Sequence, residues 1–62
     1  MGLATGHFDK NGRMVHDGDI VRIDDAAAGK VFGIDGVWFI DFGSGDRLRL
    51  NRYANSMMEV LN

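Results

Sequence analysis

The chain has no cysteine. No disulfide can staple it, and the usual structural zinc sites lose their thiolate ligands. It also has no apolar run long enough for a signal peptide or a membrane span, and the opening residues MGLATGHF do not begin one. An excess of positive charge is missing too. Seven Lys and Arg against nine Asp and Glu leave a net charge of −2, which argues against a general nucleic-acid binder with its basic footprint. The lack of cysteine fits a cytoplasmic protein.

What is there fits into one domain, because 62 residues leave no room for a second. A chain this short buries only about 60% of the surface its unfolded form exposes. With no disulfide or metal to help, self-association into a homo-oligomer is the remaining common route to extra buried area. The charge is uneven: the acids lie almost entirely between Asp9 and Asp46, while Arg47, Arg49 and Arg52 cluster towards the end.

Glycine-rich punctuation divides the chain into short β-rich runs. Residues 1–8 show no clear periodicity and read as a loose N-terminal arm. Asp9-Lys10-Asn11-Gly12 is a turn signal, because Asn tolerates a left-handed backbone and Gly adopts it freely. His16-Asp17-Gly18-Asp19 is a second turn, with Arg13-Met14-Val15 between them as a short strand or extended lead. Strands are expected near 20–23, 30–34, 37–42, 47–51 and 57–61, with Asp24 to Gly29 as a loop. The firmest cue is Asp35-Gly36 between two apolar runs, which marks a hairpin.

Beyond that hairpin Val37, Phe39 and Asp41 face one way, and Trp38, Ile40 and Phe42 the other. Arg47-Leu48-Arg49-Leu50 alternates with leucines inward and arginines outward. Residues 51–56 read as a turn or 3₁₀ segment before a closing strand, with a helix over 52–61 as the competing reading. The expected core is Val21, Ile23, Val31, Val37, Phe39, Leu48, Leu50 and Val60. Short strands at this spacing with glycine turns indicate an all-β domain, a small five-stranded barrel of SH3-like architecture.

No catalytic constellation emerges. Ser44 and Ser56 have no activating context, and the Asp24-Asp25 pair lies in a loop. His7, His16, Asp17 and Asp19 do not have the spacing of a metal ligand set. Asp9-x-Asn11-Gly12 lacks the further ligand and distal Glu of a calcium loop. Neither a metal nor a cofactor is therefore expected. Binding residues are easier to name. Trp38 and Phe42 are either core or contact residues, since tryptophan is enriched at interface hot spots. Arg47, Arg49 and Arg52 form either a solvated face or an anion-recognising edge, because arginine presents a planar fork to carboxylate or phosphate.

The lead DKNGRMVHDGDIVRID resembles the YopX-like proteins of bacteriophages and prophages, at Asp9, Lys10, Asn11, Gly12, Val15, Gly18, Asp19, Ile20 and Val21. The resemblance covers about a quarter of the chain. It implies a β-rich phage or prophage protein in the bacterial host cytoplasm, with a host or phage protein as partner, such as a host defence component that it inhibits. A second, fold-wide resemblance is to the plasmid-borne type II dihydrofolate reductases. It rests on Gly18-Asp19-x-Val21-Arg22, Gly29-Lys30-Val31-x-Gly33 and Met58-Glu59-Val60-Leu61-Asn62. That likeness implies an SH3-like barrel and, as an alternative function, a homo-oligomeric pore-type reductase. The family's Val-Gln-Ile-Tyr strand is here Leu48-Arg49-Leu50-Asn51, so both amide and phenol are replaced. The leading expectation is accordingly a non-catalytic protein-binding module. Nucleic-acid or nucleotide-anion binding on the arginine strand is a third reading, disfavoured by the acidic balance.

Overall fold

Val37 follows Asp35-Gly36 directly, and this dipeptide sets the register of the largest strand pair. Both residues have positive φ, 52° and 79°, the mirror-image turn geometry that suits a two-residue hairpin and that glycine adopts without strain. In the computed structural model, which describes residues 2–62, the hairpin joins β4 (Ala28–Ile34) to β5 (Val37–Gly43). Ile34 then pairs with Val37, Phe32 with Phe39 and Val31 with Ile40.

Five strands form one antiparallel sheet. β3 (Ile20–Ile23), β4, β5 and β6 (Asp46–Arg49) run as a meander. After β6 comes a single helical turn, α1 (Arg52–Asn55), and the final strand β7 (Met58–Val60) returns to pair with β3, giving the order β6-β5-β4-β3-β7. The Asn51 side chain caps α1 by accepting the Ala54 N–H at 2.8 Å, as an N-cap asparagine should. The expected turn at 51–56 and strand after it are both present, and the long helix over 52–61 is not.

A second, two-stranded sheet pairs β1 (Ala4–Phe8) with β2 (Met14–His16). This corrects the expectation of a loose arm over residues 1–8, of which Met1 lies outside the described residues. A bulge between Ala4 and Phe8 breaks the alternation that would have marked the strand, and Gly6 lies within it at φ 83°. Pairing and side-chain bonds hold β1 in place. Thr5 Oγ1 donates to the Val15 carbonyl at 2.8 Å, and His7 Nδ1 lies 2.8 Å from the Asn55 amide nitrogen of α1.

The core lies between the two sheets. Val15, Val21, Val31, Ile40, Leu50, Met58 and Val60 are buried, with Ile23, Trp38, Phe42 and Leu48 packed against them. Val21, Val31, Leu50 and Val60 are buried as expected, and Ile23 and Leu48 flank them. Val37 and Phe39 are corrections: both are half-buried and outside the core cluster. β5 carries large apolar groups on both faces, so alternation alone does not say which face turns inward. Pairing of Ile40 with Val31 and with Leu48 decides it.

Candidate functional site

The outer face of β4, β5 and β6 follows from the same register. Phe32 lies opposite Phe39, which lies opposite Arg49; Lys30 lies opposite Asp41, which lies opposite Arg47. The Phe32 and Phe39 rings stack at 5.5 Å between centroids, with 22° between their planes. The Arg47 guanidinium carbon stands 5.5 Å from the Phe32 ring centroid, where a cation is drawn to the negative π face. Ile34, itself exposed, and half-buried Val37 extend the apolar part towards the hairpin turn. The result is an apolar strip bordered by arginine on an otherwise solvated sheet.

The structure separates the residues expected to bind. Arg47 and Arg49 share this outer face and are exposed. Trp38 and Phe42 point to the other side of β5 and pack on the core. Trp38 lies across Gly33, where an added Cβ would stand 2.8 Å from the indole; the glycine is what lets the ring lie flat against the strand. Arg52 is exposed in α1, beyond the inward turn at Leu50 and the cap at Asn51, and so is not in the strand row. Phe32 and Lys30 were not expected at a site. Their signal was the hairpin itself, because a two-residue loop at 35–36 fixes Phe32 opposite Phe39.

The Asp9-Lys10-Asn11-Gly12 turn has a different task. Asp9 is buried at 5% exposure, and both its carboxylate oxygens accept hydrogen bonds. Its Oδ1 accepts the Asn11 and Arg13 N–H groups at 2.9 and 2.8 Å, and its Oδ2 accepts the Val60 N–H at 2.9 Å. Burial alone would raise its pKa. The three backbone donors, with the nearby Arg13 charge, outweigh it and hold the carboxyl below its ordinary value. Lys10 N–H adds a bond to the Met58 carbonyl at 2.8 Å. A carboxylate held by three backbone donors, one of them Val60 N–H, is a clamp on β7.

Arg13, Met14, His16, Asp19, Val60 and Asn62 line a shallow cavity of about 340 Å³ beside that clamp. Arg13 spends its guanidinium on the Val60 and Asn62 carbonyls at 3.4 and 3.0 Å. His16 Nδ1 stands 3.9 Å from Asp19 Oδ2, and that oxygen already accepts the His16 backbone N–H at 2.8 Å. Among the described residues no cluster of His, Cys, Asp or Glu is arranged to hold a metal ion. No helix of the described residues is long and apolar enough to cross a membrane. At the strand compared above with the reductase motif, Arg49 points outward and the Asn51 amide oxygen is used to cap α1. No protein-family model, curated protein or solved structure matches the chain.

Proposed function

We propose that this protein is a small non-catalytic binding module of SH3-like architecture that holds a partner protein on the outer face of β4, β5 and β6. Four strands in meander, then a helical turn and a last strand returning to the first, support the SH3-like reading. The observation that carries the binding proposal is the Phe32–Phe39 stack. Two aromatic rings remain half-exposed on a sheet face, bordered by exposed arginines, and aromatic and arginine side chains are the types enriched at protein interfaces. The lead that resembles YopX-like proteins supports a phage or prophage setting, with a host or phage protein as partner in the bacterial cytoplasm.

A protein partner is favoured over nucleic acid by the charges within the face. Asp41 lies between Lys30 and Arg47 in the cross-strand row, and Asp46 opens β6. Arg47 also covers a Phe32 ring that a base would need for stacking. The reductase reading gains no support, and dihydrofolate reduction with NADPH is expected to be undetectable.

The test is capture from infected-host lysate with the parent protein and with Phe39→Ala, Arg47→Glu and Tyr53→Ala variants. Tyr53 is 75% exposed on α1, outside the strands that form the face. One protein should be retained by the parent and by Tyr53→Ala and lost with the other two. Retention by all three variants overturns the assignment of the face.

A further inference from the structure

We propose that β6 is an open docking edge for an extended acidic segment of the partner, which adds to the sheet as a sixth strand. This rests on the protein-binding reading above and names the partner's chemistry. The Leu50 N–H donates to the Trp38 carbonyl at 2.9 Å, and Leu48 pairs with Ile40. Backbone groups alternate along a strand, so those of Leu48 and Leu50 face β5 and those of Arg47 and Arg49 point away from the sheet. Among the described residues no strand covers that side. The one bond there is from the Asn51 amide to the Arg49 carbonyl, at 3.4 Å.

Two other edges are closed by comparison. β7 is sealed by Asp9, Lys10 and Arg13, and β1 is bulged, which blunts an edge. The charge on β6 selects the occupant. A strand added there would set its outer-face side chains beside Arg47 and Arg49, about 7 Å apart, and its inner-face side chains beside half-buried Leu48. Acidic and apolar residues in alternation satisfy both. A second copy pairing through β6 would instead oppose arginine to arginine, which is destabilising.

The experiment uses a labelled peptide alternating glutamate with valine, titrated by fluorescence anisotropy, with amide hydrogen exchange of the protein measured in parallel. Binding should slow exchange at Arg47 and Arg49. It should weaken at least about tenfold in an Arg47→Ala/Arg49→Ala variant of unchanged melting temperature. Two N-methylated peptides, blocked on the odd or the even amides, give the sharper result: one should lose binding and the other keep it, because only one edge of an added strand faces β6. Equal binding by both N-methylated peptides, equal binding by a lysine–valine peptide, or stronger protection of these amides by single-stranded DNA overturns the proposal. If Phe39→Ala abolishes partner capture while the partner leaves the Arg47 and Arg49 amides exchanging freely, strand addition fails and the face reading stands.

Discussion

The two edge strands of the five-stranded sheet are protected in opposite ways. β7 is covered by a segment some fifty residues earlier in the chain, with the Asp9 carboxylate standing in for the strand that would otherwise pair with Val60. Among the described residues β6 has no such cover, and its shortness and its two arginines guard it. A domain this small cannot add strands to close every edge. The side-chain clamp uses buried hydrogen bonds and rigidifies β7, whereas the charged edge leaves backbone groups in water, free for a partner. On this comparison the covered edge is structural, and the open edge is the one the docking proposal uses.

The sharpest way to break the comparison is to loosen β6 from the inside. β6 is held on one side only, by β5 and by the leucines it sends inward, and the adjoining Leu50 is 4% exposed. Leu50→Ala should cost about 2–5 kcal/mol, a large share of the stability of so small a domain. Urea denaturation followed by tryptophan fluorescence measures it. A midpoint equal to the parent's would mean that β6 does not depend on its inward side chains.

Next in size is the clamp. Asp9→Ala leaves the Val60, Asn11 and Arg13 N–H groups without their acceptor, at a cost of about 2–3 kcal/mol for hydrogen bonds to a buried charged group. The loss should be local in its signature. Exchange at Val60 should accelerate more than the global destabilisation explains, while Arg47 and Arg49, already open, should hardly change. Uniform acceleration across both edges would show that Asp9 does not act on β7 in particular.

The two edges also differ in how legible they were. The positions of the five strands of the larger sheet and the Asp35-Gly36 hairpin could be read directly, since turn chemistry and β-branched runs are local properties. The outward arginines of β6 were equally plain, because a polar–apolar alternation needs no partner to be interpreted. Asp9 was recognised as a turn residue, but not as the acceptor for Val60, whose N–H lies 51 residues away in the chain. No local pattern announces such a contact. The strand Ala4–Phe8 was missed for the related reason that its bulge erases alternation. For Trp38 and Phe42 the sequence leaves core and contact both open, and it puts Phe39 in the core, because it gives the parity along β5 but not its sign. Counting outward from the two-residue turn would have put Phe32 opposite Phe39, though not shown which face of that pair is solvated.

Acid should act on the covered edge. The Asp9 carboxyl titrates below its ordinary value of about 3.9 in the folded protein. A depressed carboxyl contributes stability that is fully present above the unfolded pKa and is lost as pH falls through the folded one. The parent should therefore lose stability from about pH 5 downward. Asp9→Asn should start from lower stability at neutral pH and show a shallower acid slope. Equal slopes in the two proteins would move the acid sensitivity to other carboxylates.

The smallest effect on stability, and the most direct test of the open edge, is expected from its charges. Arg47 and Arg49 are exposed, and replacing each by threonine should change stability by no more than about 0.5 kcal/mol. Threonine suits a strand and carries no charge, so the same substitutions remove what keeps two β6 edges apart. The double variant should therefore form dimers as concentration rises, under conditions where the parent's mass does not change with concentration. Restoring one charge, in Arg49→Thr alone, should give an intermediate tendency, because antiparallel pairing brings the remaining Arg47 of each copy towards the other. Sedimentation equilibrium over a concentration series measures this. If the double variant and the parent sediment alike at every concentration, charge does not guard β6, and something other than arginine repulsion must keep that edge unpaired.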